Sequence, residues 1–159
     1  SLNFNRTKRR RSIRIYRNRP SMVSNKINME FQEKIKKVNE LLKENEPKNW
    51  TKDHKSYAGY KPQWVIDSVN SQFSGQWSLK IIKTDVFNSS RENKNGKPIQ
   101  EAFVQLEVSI EGGGTMSAMA SHPILDDYGD AMKSAQTDAM KKALAHYSIG
   151  NRAYHGLLK

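Results

Sequence analysis

The chain has 159 residues, of which 36% are hydrophobic, so it can form one domain around one modest core. It contains no cysteine, which excludes disulfide frameworks, thiolate zinc sites and cysteine nucleophiles. The formal net charge of +11 is unevenly distributed along the chain. No apolar run is long enough to span a membrane and no signal peptide is visible, so we expect a soluble intracellular protein without a membrane partner.

The N-terminal segment carries much of the positive charge. Eight of the 27 Lys and Arg residues fall within residues 1–21, which contain neither Asp nor Glu. This segment fits a disordered nucleic-acid-binding arm, an organellar presequence, or a non-native extension ahead of Met22. We favour the extension, because the segment lacks the apolar periodicity of an amphipathic helix. Residues 22–159 are predicted to form the single domain.

Two helices are predicted in the first half of this domain. Residues 29–45 carry apolar side chains at helical spacing, and Pro47 ends that pattern. Residues 48–60 are predicted to form a polar loop that contains several aromatic side chains. The second helix begins at Pro62, which suits a first helical turn, and ends near Gly75.

Three strands and a final helix follow. The strands are predicted at residues 77–87, 100–110 and 115–121, and Asn95-Gly96 indicates a hairpin between the first two. A helix is predicted over about 128–147. The fold class is therefore α+β, with an α-β-β-β-α core whose three-stranded antiparallel sheet packs on a long helix, plus an N-terminal helix. Such a sheet has open edges that favour pairing with further copies of the chain, and closure of a homo-oligomer into a ring is one way to remove those edges.

The sequence contains no convincing catalytic constellation. Asp126, Asp127 and Asp130 lie near His122, but carboxylates at the start of a helix are more simply explained as caps. The three consecutive glycines at 112–114 are not followed by the Lys-Ser/Thr of a phosphate loop, and no nucleophile is paired with a base. We therefore predict no catalytic residue, no metal and no cofactor.

Lysines and aromatic residues supply the remaining signal. A groove of this composition suits single-stranded nucleic acid, because bases stack on aromatic rings and lysines neutralise phosphates. The alternative is that the lysines are solvated and that Trp64 and Trp77 belong to the core. The candidate DNA-binding residues are Lys61, Lys80, Lys83, Lys133, Lys141 and Lys142.

Two segments resemble the Rad52/Sak/DdrA superfamily of single-strand annealing proteins. Residues 137–151, TDAMKKALAHYSIGN, are similar to the final helix of that family, and residues 64–78, WVIDSVNSQFSGQWS, are similar to its second helix and first strand. The resemblance covers residues 57–151, with all elements in order. It implies rings or filaments that hold single-stranded DNA in a basic groove without nucleotide hydrolysis or metal.

By position, Lys141 and Lys142 correspond to paired basic residues of the family's groove. The family often has arginine where this chain has Trp64 and Ala145, and Lys61 is a candidate substitute. The resemblance favours a phage or bacterial protein of the cytoplasm, or an organellar one if the tail is a presequence. A single-stranded-DNA-binding protein or an exonuclease is a further candidate partner.

Three alternatives stay open at this point. A double-stranded-RNA-binding module has the same α-β-β-β-α order, but its basic cluster lies at the start of the last helix, where this chain is acidic. A small magnesium-dependent nuclease would need Asp127. A purely structural oligomer would bind no DNA.

Overall fold

The computed structural model describes residues 21–44, 50–52, 55–57 and 59–155. Its elements are α1 (Met22–Glu44), β1 (Trp50–Lys52), β2 (Lys55–Tyr57), α2 (Pro62–Phe73), β3 (Trp77–Glu92), β4 (Pro98–Ile110), β5 (Gly114–Pro123), α3 (Tyr128–Ala145) and α4 (Asn151–Tyr154). The predicted α+β class and its order of helices and strands are confirmed. All but the last residue of the predicted basic tail lies outside the described residues.

The main sheet is antiparallel in the order β3-β4-β5, with β4 in the centre. Side chains of β4 alternate strictly, as predicted: Val104 and Leu106 are buried, whereas Gln105 and Glu107 on the other face are only partly covered. Helix α3 packs on the buried face, over β4 and β5. The sheet therefore has one covered face and one open face.

Helices α1 and α2 pack against each other and complete the core. The ring of Phe31 on α1 lies 5.6 Å from the ring of Phe73 on α2 and 6.3 Å from that of Tyr147, which follows α3. Phe73 is fully buried, whereas Trp77 is only partly buried and its Nε1 donates to Asn70 Oδ1 at 2.7 Å. Phe73 is therefore a core residue, whereas Trp77 belongs to the core only in part.

Several boundaries differ from the sequence-based expectation. Helix α1 starts at Met22 rather than at residue 29. The sequence did not predict this first part of the helix because its nine residues are all exposed and show no pattern of buried side chains. The predicted loop over 48–60 contains β1 and β2, which pair antiparallel with Trp50 opposite Tyr57. Strand β3 extends to Glu92 because the hairpin turn is tight: Asn93 Oδ1 accepts hydrogen bonds from the backbone N–H groups of Asn95 and Lys97.

Strand β3 presents uncovered apolar side chains on the same face of the sheet as α3. Ile81 pairs with Leu106 and Val86 with Ala102, so these side chains share the face that α3 covers on β4. Ile81 and Val86 are nevertheless 40% and 37% exposed. The outer strands β3 and β5 leave two sheet edges unpaired within the described part of the chain. None of the described helices is long and apolar enough to cross a membrane.

Candidate nucleic-acid interface

The two adjacent lysines of α3 point in different directions. Successive residues of a helix are about 100° apart around its axis. The Lys141 side chain is 25% exposed and its Nζ lies 3.8 Å from Asp138 Oδ1, one turn earlier. Lys142 is exposed on the neighbouring side of the helix. Neither lysine enters the core, in keeping with the high cost of burying an unpaired ammonium group.

Lys141 lies at the wall of a cavity of about 170 Å³, which we call the Tyr60–Tyr154 cavity. The other lining residues come from the start of α2, the end of α3 and the segment that follows: Gly59, Tyr60, Val65, Leu144, Ile149, Gly150, Ala153 and Tyr154. Tyr60 is buried, whereas Tyr154 is 55% exposed. The cavity is therefore mainly apolar, with one cation at its wall and an accessible aromatic ring at its outer end.

Lys142 lines a separate groove along the edge of β5, which we call the Lys142 groove. Its other lining residues are Ala118, Met119, Ala145, His146 and Tyr154. Tyr154 thus lines both the cavity beside Lys141 and the groove beside Lys142. The phenol of Tyr154 therefore lies between the two lysines. Tyr154 belongs to α4 and follows residue 151, where the resemblance described from the sequence ends.

A turn at the end of α3 brings Tyr154 back to this position. Ser148 and Gly150 both adopt left-handed backbone conformations, with φ of 66° and 69°. Asn39 of α1 fixes this turn, because its Nδ2 donates to Ser148 O at 2.8 Å and its Oδ1 accepts from Gly150 N at 2.9 Å. Burial raises the pKa of Tyr154, and the nearby Asp138 carboxylate raises it further, so the phenol is neutral at physiological pH.

Lys61 and Lys133 lie along the same seam between α3 and the start of α2. Lys61 is exposed just before α2, between Tyr60 of the cavity and Pro62. Pro62 and Lys133 share a shallow groove that we call the Lys133 groove; its other lining residues are His122, Asp130, Ser134, Thr137 and Asp138. Asp130 and Asp138 make the Lys133 groove less favourable to phosphate than the Lys142 groove, which has no carboxylate among its lining residues.

Lys80 and Lys83 lie elsewhere. They pair across the sheet with Glu107 and Gln105, whose side chains occupy the open face, opposite to α3. Within one protomer, the sheet therefore separates these two lysines from Lys141, Lys142 and Tyr154, which we call the α3 cluster. The structure places Lys141 and Lys142 on either side of Tyr154, puts Lys133 in a separate groove of α3, and leaves Lys80 and Lys83 on a second surface.

The acidic start of α3 is explained locally. Asp127 is the N-cap of the helix, and its Oδ1 accepts a hydrogen bond from Gly129 N at 2.8 Å. This confirms capping as the role of Asp127. Among the described residues, no group of three or more His, Asp or Glu side chains could hold a metal ion.

The two positions where the family often has arginine have different environments here. Trp64 packs partly buried against the core, and its Nε1 is buried without a hydrogen-bond partner among the described residues. At this position, the mainly apolar indole of Trp64 stands where the family often has the polar side chain of arginine. Ala145 lines the Lys142 groove together with Tyr154. Sequence reasoning missed Tyr154; an aromatic residue shortly after the Gly150-Asn151 pair was the available signal.

One family of proteins matches most of the chain. The sequence pattern of the Rad52/22 family, described as double-strand break repair proteins, matches residues 29–156. The chain belongs to the Rad52/22 family. Membership assigns it a general role in DNA repair and recombination, and suggests DNA binding and self-association in general. The comparison with individually curated proteins finds no match.

Proposed function

We propose that this Rad52/22 family protein binds single-stranded DNA and anneals complementary strands without ATP, as a homo-oligomer. The observation that carries the proposal is the exposed cluster at the end of α3, where Lys141 and Lys142 flank Tyr154. Lysines bind phosphates irrespective of sequence, and an aromatic ring offers a stacking surface to any base. We also propose that the protein is not an enzyme.

The chemistry of annealing agrees with such a surface. Pairing of complementary strands is energetically favourable and needs no fuel. A protein that holds the phosphate backbone leaves most base edges free for a second strand. An assembly that repeats one weak site in every subunit binds a long strand far more tightly than one subunit does.

Assembly into a ring or filament has support in the sheet. The open edges of β3 and β5 are surfaces for pairing, and Ile81 and Val86 on β3 are apolar side chains that a neighbouring copy would remove from water. In such an assembly, the surface of Lys80 and Lys83 could approach the α3 cluster of the next subunit. A single-stranded-DNA-binding protein or an exonuclease is a further proposed partner.

The test compares two double variants. Lys141→Ala/Lys142→Ala removes the proposed phosphate contacts, and Lys80→Ala/Lys83→Ala removes the same charge from the open face of the sheet. Affinity for an oligo-dT strand is measured by fluorescence anisotropy over a range of salt concentrations. We expect the first variant to bind more weakly, with a log–log salt slope shallower by about 0.7 for each lost phosphate contact.

Light scattering shows whether each variant still assembles, and a strand-annealing assay shows whether binding serves annealing. If the Lys141/Lys142 variant assembles and binds with wild-type affinity and salt slope, the α3 cluster is not the site. If only the Lys80/Lys83 variant loses binding, the open face is the site. Preference for duplex RNA over single-stranded DNA would favour the RNA-binding alternative, although Asp127 and Asp130 lie where that module is basic.

A further inference from the structure

The Tyr60–Tyr154 cavity has the size of a site for a single ring. Its volume is about 170 Å³, and an engineered apolar cavity of about 150 Å³ in another protein binds benzene. Val65, Leu144 and Ile149 give it apolar walls. A flat, six-membered ring therefore fits the cavity.

The aromatic and charged residues at the outer end of the cavity favour a nucleobase as that ring. Tyr154 is 55% exposed, so one part of its ring is available for stacking. Lys141 at the wall pairs with Asp138 over a long distance of 3.8 Å, and both side chains are partly exposed. Such a weak ion pair is readily exchanged for a contact with a phosphate. Lys142 lies on the other side of Tyr154. The arrangement provides one stacking surface between two cations, which matches one base between two phosphates.

We propose that the Tyr60–Tyr154 cavity takes one base of single-stranded DNA, while Lys141 and Lys142 hold the adjoining phosphates. This inference rests on the proposed binding of single-stranded DNA. It adds a contact with a base, which the lysine–phosphate contacts do not supply. One base held in each subunit anchors the strand, and the bases between anchors stay free to pair.

The test separates base contacts from phosphate contacts. Two strands of equal length are used: oligo-dT, and a strand in which every nucleotide is abasic. Tyr154→Ala removes the stacking surface, and Ala153→Leu fills the cavity from its wall. Tyr128→Ala is the matched control, because Tyr128 is 51% exposed at the far end of α3 and lines neither the cavity nor the Lys142 groove.

We expect wild-type protein to bind oligo-dT more tightly than the abasic strand by at least about fivefold, the lower end for stacking of one base. Tyr154→Ala and Ala153→Leu should reduce this ratio, while affinity for the abasic strand stays the same. Tyr128→Ala should change none of these values. Melting temperatures near that of the wild type show that the variants are folded.

Two results would overturn the inference while leaving DNA binding intact. One is a dT-to-abasic ratio that neither cavity variant lowers. The other is an equal loss of affinity for both strands in Tyr154→Ala, which would mean that Tyr154 only positions the lysines. Wild-type protein that binds neither strand, even at low salt, would instead overturn the proposed function itself.

Discussion

The ring of Phe31 on α1 lies directly against the backbone of Gly113 in the turn between β4 and β5. A Cβ atom at Gly113 would meet Phe31 Cζ and lie 2.7 Å from Cε2, closer than real Cβ contacts allow. Because Phe31 also packs on Phe73 and Tyr147, this contact joins the first helix to the sheet, to α2 and to the segment after α3. The glycine is needed there for space rather than for an unusual backbone angle.

Gly113→Ala should therefore destabilise the fold. We expect the free energy of unfolding to fall by about 1–3 kcal/mol, the usual cost of overpacking a filled site. Urea denaturation measures this change. Gly59→Ala is the control, since a Cβ at Gly59 would meet nothing within 4 Å. Equal stability of the two variants would show that Phe31 moves aside at little cost.

Asn39 is predicted to stabilise the turn that carries Tyr154. Its side-chain amide makes two hydrogen bonds, to Ser148 O and from Gly150 N. Asn39→Ala should lower the free energy of unfolding by about 1–3 kcal/mol, because it leaves these backbone groups without their partner. Asn28→Ala on the exposed start of α1 is the control for the change in helix propensity. Amide hydrogen exchange at Gly150 should become faster only in Asn39→Ala.

Tyr147 should make stability fall in alkaline solution. Its hydroxyl oxygen lies 2.7 Å from both Val108 O and Gly114 O, so it can donate to either carbonyl. Burial raises the pKa of Tyr147 above its ordinary value of 10.0, although backbone hydrogen bonding at Met116 and Ile110 offsets part of the rise. The folded state therefore retains a proton that the unfolded state loses as the pH rises through that ordinary value.

The contribution of the Tyr147 hydroxyl is thus fully present below about pH 10 and decreases as the pH rises above it. Tyr147→Phe should lower stability by about 1 kcal/mol near neutral pH. The difference between the two proteins should shrink above pH 10, as measured by urea denaturation at several pH values. A difference that grows at alkaline pH would contradict the assignment.

The apolar face of β3 is predicted to take part in self-association. Ile81→Ser/Val86→Ser should give smaller assemblies in light scattering, because less apolar area is removed from water at the contact. Both side chains are already partly exposed in the protomer, so its melting temperature should fall only slightly. Leu125→Ser, which alters a residue that is 72% exposed in the loop before α3, is the control and should assemble as the wild type does. Unchanged assembly in the β3 variant would move the contact to another surface.

The sequence by itself determined the main helices and strands and their order, but not the short elements β1, β2 and α4. The alternation of Val104 and Leu106 with Gln105 and Glu107 predicts a strand with one covered face, and the spacing of Phe31 and the apolar residues after it predicts a helix. These patterns are local, because each element must bury one face whatever its neighbours are. The resemblance of residues 64–78 and 137–151 to an annealing family was also readable without coordinates, and the family assignment confirms it.

The tertiary structure decided which of the candidate residues share a surface. Lys141 and Lys142 are adjacent in sequence but line different sides of Tyr154, whereas Lys80 and Lys83 lie on the open face of the sheet. No periodicity could place Tyr154, because its position depends on the left-handed turn after α3 and on the hydrogen bonds that Asn39 makes to that turn. Such contacts join residues more than a hundred positions apart, so only the packing of whole elements against one another determines them.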